Sequence, residues 1–151
     1  MSSLLVIVSY HHNNTQKIAE VFARVLDAKI KTPTEIAADE LRQYELLGFG
    51  SGIYFGKHHK DLLKFAERVS KVDNKKAFIF STSGDGRGTR SHTRLRKKLE
   101  SKGYRVVDEF SCAGFDTFGL MKLVGGIKKG RPNAGDLEQA EEFAKKLRVQ
   151  P

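Results

Sequence analysis

Short apolar runs alternate with longer segments of helical periodicity along the whole chain. Residues 4–8, 46–49 and 77–80 are almost entirely apolar. Strands that are buried on both faces have such continuous runs, and they are typical of parallel sheets covered by helices. A short run at residues 28–30 predicts a fourth strand. The more polar run at residues 104–112 predicts a fifth strand, at an edge of the sheet.

Helical patterns fill the intervals between these strands. Residues 15–26 place their apolar side chains on one helix face, and Asn13 or Asn14 can cap the start of that helix. Similar patterns predict a small helix over residues 34–41, helices over 61–69 and 91–100, and a last helix that begins near residue 133 or 136. The alternation predicts a single α/β domain over residues 1–151, with helices on both faces of a parallel sheet.

The loop after the first strand distinguishes the two common strand orders of such sheets. A dinucleotide-binding order requires G-x-G-x-x-G there, yet residues 1–47 contain no glycine, and the chain has no Walker-type phosphate loop. The remaining order is 2-1-3-4-5, which response-regulator receivers also use. A receiver needs acidic residues after strand one and an aspartate after strand three, where this chain has Ser9-Tyr10 and a Gly-Ser-Gly sequence. We therefore predict a doubly wound five-stranded sheet of order 2-1-3-4-5 without receiver chemistry.

Three loops follow the three most apolar strands, at residues 9–15, 50–56 and 82–88. The carboxyl ends of parallel strands share one edge of the sheet, where a ligand crevice forms at the point at which the strand order reverses. The first loop is rich in hydroxyl and amide side chains and leads into a helix. The free N–H groups and the dipole of a helix N-terminus can hold a phosphate without help from Lys or Arg.

Together, the strand–helix order, the phosphate-type loop, the sequence Gly-Ser-Gly-Ile-Tyr-Phe-Gly after strand three and the glycine-containing third loop resemble the flavodoxins over essentially the whole chain. The resemblance implies an FMN cofactor held by all three loops. It implies that the FMN phosphate is surrounded by Ser9, His11, Asn13, Asn14 and Thr15, that the isoalloxazine is lined by Gly52, Ile53, Tyr54, Phe55 and Gly56, and that its pyrimidine edge is reached by Thr82, Ser83, Gly84, Asp85 and Gly86.

The chemistry of these residue types agrees with the assignment. Tyr54 or Phe55 can supply a flat apolar partner for the ring, and glycines beside them let the backbone approach closely. The chain departs from the family in three respects: the first loop has no glycine, there is no Trp, and the third loop offers Arg87, Arg90 and His92 where an aromatic residue is common. One ring face is therefore expected to be open, or covered by a guanidinium group or by a phenylalanine of the segment 114–132.

Composition indicates the cellular compartment of the protein and the kinds of site it is expected to lack. The single cysteine, Cys112, excludes an internal disulfide framework, so we expect a buried thiol and a reducing, cytoplasmic compartment. No apolar run approaches 18 residues, so no membrane insertion is expected. The five histidines form two adjacent pairs and one single residue, without a Cys or carboxylate at metal-ligand spacing, so no metal site is predicted.

The net charge of +9 is unevenly distributed, because residues 1–75 carry 11 basic and 9 acidic side chains and residues 76–151 carry 16 and 9. The cluster of basic residues between Arg87 and Arg105 is either a solvated helix face or a surface that attracts acidic partners or nucleic acid. The segment 114–132 is long for a connector, and it is either a lid or docking surface or a packed loop at the sheet edge.

The favoured function is electron transfer by bound FMN between cytoplasmic redox partner proteins with acidic docking surfaces. The alternative is an NAD(P)H-dependent FMN-containing reductase of quinones or flavins. A third hypothesis is a basic nucleic-acid-binding module without flavin, which ranks last because the chain contains no recognised nucleic-acid-binding motif. The sequence identifies no catalytic residue.

Overall fold

The computed structural model describes residues 2–9, 14–83, 88–113 and 132–150. Its strands are β1 (Ser3–Val8), β2 (Lys29–Lys31), β3 (Leu46–Tyr54), β4 (Lys57–His58), β5 (Lys75–Ser83) and β6 (Tyr104–Ala113). The order in the sheet is β2-β1-β3-β5-β6, with parallel pairing throughout, while β4 pairs with β3 in an antiparallel hairpin. The predicted five-stranded order is confirmed, since β4 is an addition to it, and β6 lies at an edge as predicted.

Four α-helices of the described residues cover this sheet: α1 (Asn14–Leu26), α2 (Lys60–Arg68), α3 (Thr93–Ser101) and α4 (Ala134–Val149). Along β1, Leu4, Val6 and Val8 belong to one hydrophobic cluster, and Leu5 and Ile7 belong to the other. The first cluster includes side chains of α2 and α3, and the second includes side chains of α1 and α4. Both faces of β1 are thus buried, which is why its sequence is apolar at successive positions.

Phe22 of α1 lies at the centre of the second cluster. Its ring makes edge-to-face contacts with Phe78, Phe80 and Phe110 at centroid distances of 5.6, 5.0 and 5.5 Å, and it lies 5.5 Å from Phe143 of α4. Edge-to-face pairs stabilise the packing beyond the area they bury, by about 0.5–1.5 kcal/mol each. These contacts fix α1 and α4 on β5 and β6, and so fix the N-terminus of α1 at the carboxyl edge of the sheet.

One helix prediction was wrong. The small helix predicted over residues 34–41 is a turn followed by a 3-10 helix, Ala38–Gln43. The Glu35 carboxylate accepts the Thr32 N–H at 2.8 Å and closes the turn, and Glu40 accepts the Ala37 N–H at 3.1 Å at the start of the 3-10 helix. The helix predicted over about residues 91–100 is confirmed as α3, which begins at Thr93 directly after the 3-10 helix Gly88–His92.

The predicted loop over residues 50–56 is also different. It is the end of β3 followed by the turn into β4. Gly50 lies within β3, where a Cβ atom would lie 2.3 Å from the Phe80 ring. Core packing, rather than a turn, therefore requires a glycine at position 50. No helix among the described residues is long and apolar enough to cross a bilayer.

Candidate functional site

The carboxyl ends of β1, β3 and β5 lie side by side at one edge of the sheet. Val8 is paired with Ser51, Ser51 with Ser81, and Gly52 with Thr82. Because β1 ends at Val8 while β3 continues to Tyr54, the end of β3 projects beyond the end of β1. This arrangement brings the described parts of all three predicted loops together, as expected for a doubly wound sheet.

The first of these parts leads from β1 into α1. The Ser9 hydroxyl accepts the N–H of Gln16 at 3.1 Å, which satisfies one of the backbone donors at the start of the helix. Asn14 and Thr15 are both buried in the first turn of α1. The Thr15 hydroxyl lies 2.9 Å from the Thr82 hydroxyl of β5. Two of the predicted phosphate residues, His11 and Asn13, lie outside the described residues.

The second part is a two-residue hairpin turn at Phe55 and Gly56. Their φ angles are 52° and 76°, the left-handed values of a type I′ turn. Asn, Asp and Gly are preferred at the first of these positions, and an L-residue with a bulky side chain is strained there. The Phe55 side chain is nevertheless 95% exposed. An exposed aromatic ring on a strained turn points to a functional role at this position.

Several contacts hold this hairpin against the sheet. The Ser51 hydroxyl accepts the His59 N–H at 3.0 Å, and the Tyr54 ring packs edge-on against the His59 ring at 5.2 Å. His58 is buried, and its Nε2–H donates to the Phe80 carbonyl at 3.1 Å. Tyr54 is thus partly used in packing, whereas Phe55 presents its ring outward. Of the two aromatic residues predicted to flank the isoalloxazine, Phe55 is the one with an open face.

The third part belongs mostly to a strand. Thr82 and Ser83 were predicted to lie in a loop. They are instead the last two residues of β5, and both are buried. Gly84, Asp85 and Gly86 lie outside the described residues. Because the Thr82 hydroxyl contacts Thr15, Thr82 supports the base of the candidate site by joining two of its elements.

A largely buried polar network, which was not predicted from the sequence, extends from Ser81 near the end of β5. Ser81 Oγ lies 2.7 Å from His92 Nε2, and His92 Nδ1–H donates to Glu109 Oε1 at 2.9 Å. Arg96 donates to both carboxylate oxygens of Glu109, at 2.8 and 2.9 Å. His92, one of the residues that the chain offers where an aromatic residue is common in the family, is fully buried. The sequence signal for this network is the pair of polar residues Glu109 and Ser111, which are two positions apart in β6 and therefore share one face of the strand.

The connectivity of Ser81, His92 and Glu109 is that of a Ser–His–acid relay. Ser81 and His92 are both completely buried, however, so a substrate does not reach the hydroxyl. Burial lowers the pKa of His92 even though Glu109 favours its charged form. Burial acts to raise the pKa of Glu109, but its hydrogen bonds from Arg96 and His92 outweigh burial and hold it below the usual range. We therefore assign the network to the support of the site.

His58 joins this buried region from the hairpin side. Its ring lies 4.9 Å from the His92 ring, and burial, together with the nearby His92, lowers the pKa of His58 to about 3. The imidazole is therefore neutral at physiological pH, with its proton on Nε2, and Nδ1 is buried without a hydrogen-bond partner in the described structure. A neutral His58 ties the hairpin to β5 without adding a charge beneath the site.

A groove of about 510 Å³ lies between the hairpin and α3. We call it the basic groove, because five of its described lining residues are cationic and none is acidic. They are Lys57, Arg90, Arg94, Lys97 and Lys98, beside Phe55, Gly56, Ser91 and Thr93. The described residues contain no group of three or more His, Cys, Asp or Glu side chains suited to hold a metal ion.

The chain belongs to the flavodoxin-domain family, whose model matches residues 5–117. An uncharacterised protein of Methanocaldococcus jannaschii is 48% identical to it over 148 residues, which cover 97% of this chain and 98% of that protein. The crystal structure of oxidised flavodoxin 1 from Bacillus cereus has a TM-score of 0.73 at 18% identity and covers 99% of each chain. The rubredoxin oxygen:oxidoreductase of Desulfovibrio gigas has a TM-score of 0.67 at 14% identity, over 95% of this chain and 34% of that one.

Family membership confirms the resemblance that the three loops indicated, and the solved structures confirm the fold. Flavodoxins bind FMN, so the family supports the predicted cofactor. The individual FMN contacts of this chain stay predictions. The structure brings together the described residues that these predictions name, at one edge of the sheet, from Ser9 in the first segment to Ser83 in the third.

Proposed function

We propose that this protein binds FMN at the carboxyl edge of its sheet and transfers electrons between partner proteins. The observation that carries the proposal is the exposed ring of Phe55 at the tip of the β3–β4 hairpin, which extends beyond the end of β1 at the carboxyl edge of the sheet. Exposing an aromatic ring on a strained backbone is unfavourable, and a planar isoalloxazine stacked on it offsets that cost. FMN supplies the capacity to accept and release one or two electrons.

The remaining parts of the edge fit the other parts of the cofactor. The N-terminus of α1 supplies backbone N–H groups and a positive dipole end for the phosphate, while Ser9 and Asn14 are the described polar side chains beside it. We assign His11, Asn13 and Thr15 to the same subsite, with Thr15 acting through its contact to Thr82. Gly52 and Ile53 lie in the half-buried end of β3 and would border the ring.

Electron transfer is favoured over enzymatic turnover by the state of the acid–base groups. Two histidines near the hairpin, His58 and His92, are buried and their pKa values are lowered, and a third, His59, packs against Tyr54 and accepts the Asp61 N–H at its Nδ1. They are therefore poorly placed to exchange protons with a substrate. We infer that the partners are redox proteins with acidic docking surfaces, in a reducing cytoplasm that suits a chain with one cysteine.

A second candidate function is favoured by the basic groove, because its cations could accept the phosphates of NAD(P)H. The protein would then be an FMN-dependent reductase of a quinone or a flavin. The same fold forms part of a rubredoxin oxygen:oxidoreductase, which is a longer chain. A nucleic-acid-binding role is disfavoured, since Phe55 is the one aromatic residue among the described residues that line the groove.

The test is a titration of the full-length protein with FMN and, in parallel, with riboflavin. We expect FMN to bind with a shifted absorbance spectrum, and riboflavin to bind more weakly because it lacks the phosphate. Stepwise dithionite should reduce the bound FMN, and NADPH with a quinone should give no steady turnover unless a reductase is added. A protein that ignores FMN contradicts the proposal, and steady NADPH oxidation by the purified protein selects the enzyme.

A further inference from the structure

We propose that the basic groove is the docking site for an acidic electron-carrier protein, with Arg94 and Lys97 as the main attracting charges. This inference rests on the proposed FMN-dependent electron transfer and names the surface that such transfer uses. Its basis is the distribution of charge around the hairpin and on α3.

The first observation is the one-sided charge of the groove. Its described lining contains five cations from three separate elements, which are β4, the 3-10 helix Gly88–His92 and α3, and no carboxylate. Two basic residues of this region are already engaged, because Lys98 forms an ion pair with Glu67 and Arg96 binds Glu109 on the sheet side of α3. Among the described residues, no ion pair engages Arg94 or Lys97. Both side chains are exposed, so they are available to a partner.

The second observation is that this charge pattern is unfavourable for α3 itself. Arg94 lies in the first turn of the helix, where the macrodipole disfavours cations, and that turn contains no acidic residue. Arg94 also lies three and four positions before Lys97 and Lys98, a spacing at which like charges destabilise a helix. Carboxylates on a bound protein would offset both effects.

The third observation is the contrast with α4, which carries the other large group of exposed charges. There Lys145 lies 3.9 Å from Glu141 and 3.5 Å from Glu142, and Glu141 also lies 3.6 Å from Arg24. Charges on α4 therefore balance one another along the helix. The excess of positive charge on α3 is a local property of that surface rather than a feature of every helix.

The fourth observation is position. Phe55 and Gly56, which are proposed to border the isoalloxazine, also line the groove. A protein held by the cations of α3 would lie against the hairpin and place its own redox centre near the ring. Complementary charge of this kind mainly raises the rate of association and orients the partner.

The test uses the full-length FMN-loaded protein and an acidic ferredoxin, reduced beforehand, as the probe. One electron passes from the reduced iron–sulfur cluster to FMN, so the cluster is oxidised and FMN is reduced by one electron. The rate is followed by stopped-flow absorbance at low and at high salt. The test variant is Arg94→Glu with Lys97→Glu. The matched control is Lys146→Glu with Arg148→Glu, which changes the net charge equally and also replaces one Arg and one Lys of an exposed helix surface.

At low salt we expect the second-order rate constant to fall at least about tenfold in the groove variant and less than about twofold in the control. The difference should shrink as salt screens the charges. The thermal midpoint of the groove variant should not fall, because Glu in the first turn of α3 suits the macrodipole. Equal losses in both variants, or no loss in either, would overturn the proposal.

Two further arms separate the alternatives. If the groove variant slows reduction by NADPH and leaves the ferredoxin rate unchanged, the groove binds nucleotide phosphates and the docking proposal is wrong. The affinity of the FMN-free protein for the same ferredoxin is measured by titration calorimetry. If the wild-type protein binds no FMN but still binds ferredoxin through Arg94 and Lys97, the proposed function fails and the docking site stands.

Discussion

Thr15 Oγ1 of α1 lies 2.9 Å from Thr82 Oγ1 of β5, and both side chains are buried. The two residues are 67 positions apart in the sequence. Their contact joins the start of the helix that is proposed to hold the FMN phosphate to the strand that leads into the third loop. A hydrogen bond within the protein therefore links two of the three site segments directly, in addition to the core contacts of Phe22.

We expect this hydroxyl pair to show strong coupling in a double-mutant cycle. Thr15→Val or Thr82→Val alone leaves one buried hydroxyl without its partner and should lower the free energy of unfolding by about 1–3 kcal/mol. The double variant replaces both hydroxyls by methyl groups of the same shape and should cost much less than the sum of the two single changes. Urea unfolding of the four proteins measures the coupling, and additive losses would contradict the contact.

Replacing Phe55 should separate stability from cofactor binding. Phe55→Asn places at φ = 52° a residue that tolerates this conformation, so the FMN-free protein should gain up to about 1 kcal/mol. The loss of the stacked ring should weaken FMN binding by about 0.5–1.5 kcal/mol. Phe55→Tyr is the control, because it retains both the ring and the strain. Weaker FMN binding together with lower stability in the Asn variant would indicate a purely structural role.

Acid should destabilise the protein through His58. Its pKa is about 3 in the folded protein and near 6.5 when unfolded, so between these values the unfolded chain binds a proton that the folded chain does not. The free energy of unfolding therefore falls as the pH falls through this window, by up to about 1.4 kcal/mol per pH unit, and is flat above it. The lowered pKa values of His92 and Glu109 act in the same direction.

The variant His58→Gln tests the part due to His58. Its side-chain amide can still donate to the Phe80 carbonyl but does not titrate. Urea midpoints measured between pH 4 and pH 8 should show a shallower decline for this variant than for the wild type. Parallel curves for the two proteins would mean that the acid sensitivity arises elsewhere.

Neutralising Arg87 and Arg90 should change the redox potential of the bound FMN. Arg90 lines the basic groove beside the hairpin, and Arg87 precedes it in the third loop sequence. Their charges should stabilise the reduced, anionic flavin by about 1 kcal/mol each, or roughly 40 mV for one electron. Arg87→Gln with Arg90→Gln should thus make the second reduction potential of bound FMN more negative. Potentiometric titration measures this, with Arg148→Gln on α4 as a distant control that should leave the potential unchanged.

The order of elements was predictable because each depends on local patterns. The apolar runs of β1 and β5 require burial on both faces, and the apolar positions of α1 repeat with helical period, so a covered parallel sheet follows from residues close together in the chain. The predictions failed where one local sequence pattern is compatible with more than one structure. Residues 50–54 contain glycines that read as a loop, yet they continue β3, since Gly50 accommodates the Phe80 ring of the neighbouring strand.

The sequence by itself determined the sheet order, the edge at which the three segments converge and the excess of positive charge after residue 75. Only the tertiary structure decided which aromatic residue is open, Phe55 rather than Tyr54, and placed His92 in a buried network with Ser81 and Glu109. Burial and hydrogen bonding between distant segments depend on how strands and helices pack, and the local sequence does not specify that packing. Local periodicity fixes the elements of this fold, while contacts such as Thr15–Thr82 fix the site.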